Sequence, residues 1–171
     1  MLSIGRFYKL IRSDKVATMT DLTSKSSEQS SSNSDCVFCR IVSKEEPATI
    51  EIEDEKLVAF KDCNPAASLH ILVIPKVHIP NIVDLNSDHL QLVRDMKATA
   101  EQILKSRNQS LEDSRLGFHR GKFVSVNHLH LHVIAPESEL GFKQRLVFMK
   151  RGFWFKEIDQ LIEELEQKKC S

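Results

Sequence analysis

The segment Ser125–Ile134 constrains the fold of this chain most, because three histidines in it alternate with aliphatic residues. Alternation with a period of two is typical of a β-strand, in which successive side chains point to opposite faces. One face would carry the three histidines His128, His130 and His132, and the other the aliphatic residues Leu129, Leu131 and Val133. The pattern therefore predicts a row of imidazoles about 7 Å apart on a strand whose other face enters a core.

Two functions fit such a row of histidines. Alternate histidines on a strand can chelate a metal, because imidazole is a common zinc ligand. Alternatively, one histidine nitrogen can act as a nucleophile and form a covalent intermediate. A single histidine is usually surface or satisfied core, but three in strict alternation over an apolar face favour a functional site.

The composition is that of an ordinary globular chain. The 171 residues are 41% hydrophobic, which suggests one domain with a sizeable core. Lys+Arg and Asp+Glu both number 24, so the overall charge does not favour a polyanionic partner. No apolar run is long enough for a membrane span. The four cysteines, two of them in a C-x-x-C, do not resemble a secreted disulfide framework and favour a reducing compartment.

Residues 1–35 differ from the rest of the chain. The serine-rich stretch 24–34 cannot bury enough apolar surface to fold, so we expect 1–35 to be a disordered tail. Residues 1–18 are faintly like an amphipathic mitochondrial transit peptide, and otherwise form an inert extension. The folded domain is expected to occupy residues 36–171.

Short apolar runs and one long periodic segment predict the elements of this domain. The predicted strands are 57–60, 70–74 and 115–119, the long helix is 87–108 and a C-terminal helix is 159–169. The residues Arg120-Gly121-Lys122 are expected to turn strand 115–119 tightly into the histidine strand. Arg120 and Lys122 either supply positive charge for a phosphate-bearing substrate or form a solvated turn.

The motif Cys36-Val37-Phe38-Cys39 opens the folded part. It is half of a zinc site, a redox pair or two ordinary buried cysteines. A zinc site needs two more ligands, for which His78 and His128 are the candidates.

The motif His128-Leu129-His130-Leu131-His132-Val133-Ile134 resembles the signature of the histidine-triad superfamily of nucleotide hydrolases and transferases. Three further segments resemble other parts of that family, namely Cys36–Val42, Phe60-Lys61-Asp62 and Ile74-Pro75-Lys76-Val77-His78. The resemblance covers roughly residues 36–135. It implies an α+β fold, with the long helix and the C-terminal helix packed on an antiparallel sheet.

The resemblance also implies an activity, the hydrolysis of nucleoside 5'-phosphoramidates and acyl-adenylates to AMP. His130 would attack the α-phosphorus and form a nucleotidyl-histidine, which water would then cleave. His128 and His132 would orient or polarise the phosphoryl group, and Ser125 would offer a proton route to the leaving group. The residues expected to bind the nucleotide with these are Asp62, at the ribose hydroxyls, and Phe60, Cys63 and His119.

The family likeness gives further expectations about cofactors, partners and location. Some family members hold a structural zinc with residues that correspond to Cys36, Cys39, His78 and His128, and no organic cofactor is implied. The partners would be a small nucleotide and a second copy of the chain in a homodimer, without a membrane and without nucleic acid. The location would be the cytoplasm and the nucleus, or the mitochondrion if residues 1–18 act as a transit peptide.

Two alternative functions stay open. One is removal of AMP from nucleic-acid ends, as in the aprataxin branch of the family, which Arg120-Gly121-Lys122 and His119 resemble. The neutral net charge argues against it, because proteins that bind nucleic acid usually have a basic surface. The other is a nucleotide sensor without catalysis.

Overall fold

Six strands form one antiparallel sheet, and their spatial order places the histidine segment near its centre. The computed structural model describes residues 35–121 and 124–169, so the predicted tail up to residue 34 and Lys122 lie outside it. The strands are β1 (Ile50–Glu53), β2 (Leu57–Lys61), β3 (Leu69–Pro75), β4 (Arg115–His119), β5 (Leu131–Ala135) and β6 (Phe155–Glu157). Their order in the sheet is β1-β2-β3-β5-β4-β6, and each neighbouring pair is antiparallel.

Four helices accompany the sheet. They are α1 (Val37–Val42), α2 (Leu90–Ser106), α3 (Phe142–Val147) and α4 (Ile158–Lys169). Helices α2 and α4 bury their apolar stripes against one face of the sheet, which confirms the predicted α+β architecture. None of the helices in the described part of the chain is both long and apolar enough to cross a membrane.

The predicted long helix begins later and ends earlier than expected. Residues Ser87–His89 form a separate 3-10 turn, because the Asn86 side chain accepts the Asp88 N–H while the His89 side chain bonds back to Asn86. The helix stops at Ser106, and Asn108 then adopts a left-handed backbone with φ 53°. The predicted bounds were therefore wrong at both ends by a few residues.

The histidine strand is also shorter than predicted. Regular pairing begins only at Leu131, since residues 126–128 bend and the His128 N–H bonds to the Val126 carbonyl at 2.8 Å. The alternation nevertheless continues through Leu129, whose side chain is buried in the core beneath α2. Gly117 of β4 pairs with His132 of β5. Since β4 ends at His119 and β5 begins at Leu131, the connection between them is longer than the predicted tight turn.

The two faces of the central strands have different chemistry. On β5, Leu131 and Val133 enter the core under α2, whereas His132 points to the opposite face. On β3 the alternation is the same, and His70 lies on the face that carries His132. That second face is covered by α1 and by an aromatic cluster that contains Phe148 and Phe155.

Gly117 permits the close packing of β4 between β5 and β6. A Cβ atom at this position would lie 2.5 Å from the Lys156 carbonyl oxygen and 2.7 Å from the Phe155 ring. We therefore expect Gly117→Ala to lower the free energy of unfolding by about 2 kcal/mol, because a backbone atom would have to move. Urea denaturation monitored by circular dichroism measures this change.

Gly141→Ala is the matched control for this substitution. A Cβ atom at position 141 would approach only the end of the exposed Gln144 side chain, which can move away. We therefore expect the free energy of unfolding to fall by less than about 1 kcal/mol. Equal losses for the two variants would show that β4 has room for a side chain at position 117.

Candidate active site

His130 lies at the centre of the face opposite α2 and α4, with its ring held in one tautomer. Its Nδ1–H donates to the His128 carbonyl oxygen at 2.6 Å, so the lone pair is on Nε2. Burial lowers the pKa of His130 below its ordinary value, while this hydrogen bond and the Asp62 charge act in the opposite direction. At neutral pH the ring is therefore uncharged and carries an available nitrogen lone pair.

A chain of hydrogen bonds fixes the tautomer of His132 as well. The Ala66 N–H donates to His70 Nδ1 at 3.0 Å, which leaves the proton of a neutral His70 on Nε2. That Nε2 lies 2.9 Å from His132 Nδ1, which then accepts. The proton of His132 consequently resides on its own Nε2.

The Nε2 atom of His132 is a buried donor without a hydrogen-bond partner among the described residues. Burial lowers the pKa of His132 well below its ordinary value, and the neighbouring imidazoles act in the same direction. The His130 and His132 rings are 5.0 Å apart between centroids. A neutral ring with an available nitrogen lone pair therefore lies beside a neutral hydrogen-bond donor.

His70 is a member of the site that sequence reasoning missed. It is buried in β3, and its Nε2 is 3.3 Å from Asp62 as well as in contact with His132. Burial lowers the pKa of His70, and Asp62 acts against that change. A polar residue inside the otherwise apolar strand 69–75 was the available signal.

A cavity of about 560 Å³, which we call the main cleft, opens over His130 and His132. Phe38 forms one wall, with its ring 5.4 Å from Phe60 and 5.5 Å from His130. The other candidate residues that line it are Asp62, Cys63 and Ser125. The cleft combines an apolar wall with two carboxylates, those of Glu46 and Asp62, and with two imidazoles. This lining suits a ligand with a flat ring and hydroxyl groups.

The side chain of His128 points away from the main cleft toward the two cysteines of the C-x-x-C. Its Nε2–H donates to the Pro75 carbonyl at 2.8 Å, so its Nδ1 lone pair faces Cys36 Sγ and Cys39 Sγ, each at 3.5 Å. Burial lowers the pKa of His128 to about 4. His128 thus acts on His130 through its backbone carbonyl rather than through its ring.

His78 completes a cluster with these three residues. Its Nδ1 lies 3.2 Å from Cys39 Sγ, and the four possible ligand atoms of Cys36, Cys39, His78 and His128 lie within 4.8 Å of one another. Two sulfur and two imidazole donors are a common ligand set for tetrahedral zinc. The cluster can hold a metal ion, and it uses the four residues that were expected on sequence grounds.

His119 lies on the far side of His132 and does not line the main cleft. Its ring is 4.5 Å from His132 and stacks on Phe148 at 4.7 Å. Phe155 is 5.6 Å from the same His119 ring. The aromatic residues of the C-terminal segment, which the sequence suggested only as packing, therefore support the imidazoles.

The comparisons with known proteins agree with this fold. The family model described as "Scavenger mRNA decapping enzyme C-term binding" matches residues 35–147. A mouse relative is 45% identical over 144 residues, which cover 82% of this chain and 87% of the relative. The chain belongs to the histidine-triad, or HIT, family.

Individual relatives carry more particular names. The mouse relative is adenosine 5'-monophosphoramidase HINT3. The 14 kDa zinc-binding protein of Zea mays is 35% identical over 108 residues, covering 60% of this chain and 83% of its own. The solved HIT family hydrolase of Clostridium thermocellum has a TM-score of 0.56 at 38% identity, covering 58% of this chain and 89% of that one.

The hydrogen-bond chain leads to a prediction about tautomers. Nitrogen-15 NMR of the imidazoles should find the proton of His130 on Nδ1 and that of His132 on Nε2, because the His128 carbonyl and His70 fix them. In His70→Phe, His132 should lose its fixed tautomer while His130 keeps its own. His89, a half-buried histidine that contacts Asn86 and none of these rings, serves as an internal reference. A His132 ring protonated on Nδ1 would contradict the chain of donors.

Proposed function

We propose that the protein hydrolyses adenosine 5'-phosphoramidates, and acyl-adenylates as well, releasing AMP through a nucleotidyl-histidine intermediate. One observation carries the proposal: the unprotonated Nε2 of His130 lies beside the unpartnered Nε2–H of His132 at a cleft of nucleoside size. The names of the mouse relative and of the solved HIT hydrolase support the same activity.

The tautomers suit a two-step displacement at phosphorus. His130 Nε2 forms a bond to the α-phosphorus as the phosphorus–nitrogen bond breaks, and the amine leaves with a proton that the Ser125 hydroxyl passes to it from solvent. The Nε2–H of His132 donates to a phosphoryl oxygen whose negative charge grows in the transition state. Water then attacks phosphorus, which releases AMP and restores His130.

The main cleft would bind the nucleoside. Phe38 and Phe60 offer apolar rings to the base, and Cys63 lies on the lining. Asp62 can accept hydrogen bonds from the two ribose hydroxyls, since one of its oxygens otherwise contacts only the backbone N–H of Asn64. Ser125 lies on the same lining, where its hydroxyl would pass a proton to the leaving amine.

We further propose that Cys36, Cys39, His78 and His128 hold a structural zinc ion. The donor set fits, because His128 presents an unprotonated Nδ1 to the two thiols and the four donors leave no open position. Such an ion would hold α1 against the end of β3 and the histidine segment, and so position the His128 carbonyl. The zinc-binding relative of Zea mays supports this proposal.

The homodimer and the location in cytoplasm and nucleus rest on the family likeness alone and stay predictions. A nucleotide sensor without catalysis differs from our proposal in one respect, because it would bind AMP without ever cleaving a phosphoramidate. Measurements of turnover therefore separate the two.

His130→Ala should reduce turnover of adenosine 5'-phosphoramidate by more than about 10⁴-fold, because the covalent step is lost. His132→Ala should reduce the same turnover by about 10²–10³-fold, as expected when one hydrogen-bond donor to the transition state is lost. AMP binding measured by calorimetry should survive in His130→Ala. Rapid quench of the wild-type reaction followed by mass spectrometry should find the nucleotide on the peptide that contains His130.

The matched control is His89→Ala, which removes a half-buried histidine that does not line the main cleft. Its side chain only bonds back to Asn86 before α2, so the folded variant should keep its turnover. Normal turnover without any adduct on His130 would refute the covalent mechanism. Binding of AMP without turnover by the wild-type protein would favour the sensor.

Zinc should be present at one ion per chain and should contribute to stability rather than to chemistry. Cys39→Ser should lower the melting temperature and the zinc content together, because metal binding and folding are coupled at such sites. Cys63→Ser, which alters an exposed cysteine outside the cluster, is the control for stability. Elemental analysis that finds no zinc in fully active, equally stable protein would contradict the site.

A further inference from the structure

A second cleft, of about 320 Å³, lies on the other side of the 124–127 loop from the main cleft. Its lining includes Asn81, Val83, His119, Arg120, Val124 and Asn127. None of these belongs to the main cleft, although Ser125 and Val126 of the same loop do. The loop therefore separates two pockets that differ in composition.

A narrow crevice beside His130 shares part of its lining with the second cleft. It has room for about one water, with a volume of about 10 Å³, and it is lined by His130 together with Asn81, His119 and Val124. His130 also lines the main cleft. His130 therefore lies between the two clefts, and a substituent on phosphorus that does not enter the main cleft would lie on the side of the second one.

Arg120 gives the second cleft its charge. Within residues 35–121 and 124–169, no residue that lines the second cleft carries a carboxylate, and no acidic side chain forms an ion pair with Arg120. Its Nη2 makes one long hydrogen bond of 3.4 Å to the Gly152 carbonyl, and its Nε is buried without a hydrogen-bond partner. A guanidinium with unused donors and no counter-ion is a site for an anion.

The surroundings of Arg120 hold it in place. Its backbone N–H donates to the Trp154 carbonyl at 2.9 Å, and its guanidinium carbon lies 5.8 Å from the centre of the Phe153 ring. At Gly121, where φ is 60°, a Cβ would come within 2.9 Å of the Trp154 ring, so glycine permits this close contact. The C-terminal segment thus fixes the cation at the rim of the cleft.

We infer that Arg120 determines specificity for the leaving group, by binding a carboxylate carried by the departing amine. The substrate class is then AMP joined through nitrogen to an amino acid, and the inference rests on the proposed phosphoramidate hydrolysis. The balance of the reaction is unchanged: the His130–phosphorus bond forms, the phosphorus–nitrogen bond breaks, and the amino acid leaves with a proton. Arg120 forms an ion pair with the carboxylate and takes no part in bond making.

Two substrates that differ only in charge test this inference with the full-length protein. One is the phosphoramidate of AMP with glycine, and the other is that with glycinamide. Arg120→Gln should lower the ratio of their kcat/KM values, glycine over glycinamide, about tenfold, as expected for a lost hydrogen bond to a charged group. The intrinsic difference between the two amines cancels, because the ratio is compared between two proteins.

Arg151→Gln is the matched control, since Arg151 is an exposed arginine of the same C-terminal segment outside the cleft. It should leave both kcat/KM values unchanged, and Arg120→Lys should give an intermediate ratio. A further measurement needs only the wild-type protein: added salt should raise KM for the glycine substrate more than for glycinamide.

The outcomes separate this inference from the function on which it rests. Turnover of both substrates with the same ratio in wild type and Arg120→Gln overturns the role of Arg120 alone. An equal fall for both substrates overturns it too, because that result indicates a structural effect. No turnover of either substrate by wild type overturns the proposed function, and with it the specificity.

Discussion

The hydrogen bond from His130 Nδ1 to the His128 carbonyl is the interaction on which the site depends. It leaves the Nε2 lone pair of a buried, neutral ring available at the main cleft. The same residue, His128, faces two cysteines through its own ring. One residue thus links the cysteine–histidine cluster to the tautomer of the proposed nucleophile. The zinc ion that we propose for that cluster would therefore help to position the nucleophile indirectly.

Burial explains why so many imidazoles can lie side by side. Charged rings at these distances would repel one another, but burial lowers the pKa values of His70, His130 and His132, so all three are neutral. Neutral rings have one donor and one acceptor each, and the backbone contacts at Ala66 and His128 set the direction of every bond. The direction of these bonds leaves Nε2 of His130 as an acceptor and Nε2–H of His132 as a donor. Both would face a phosphoryl group bound in the main cleft.

Some of this arrangement was predictable and some was not. The alternation around His130 predicted the buried face. The C-x-x-C, with His78 and His128 as candidate ligands and the family resemblance behind them, predicted the cluster. The sequence did not show that regular pairing starts only at Leu131, because a bend keeps the alternation of faces without a strand. His70 was overlooked, since its contact with His132 spans two strands that lie far apart in sequence.

By itself the sequence determined single elements through local periodicity and the family through short motifs, and the family resemblance implied the fold class. Periodicity and short motifs need no knowledge of distant contacts. Only the tertiary structure decided the roles of single side chains. The antiparallel pairing of β3 with β5 brings His70 to His132, and the packing of the C-terminal segment on β4 places Phe148 beside His119 and Phe153 beside Arg120. These contacts join residues far apart in the chain, so strand order and register, rather than local pattern, fix the chemistry of the site.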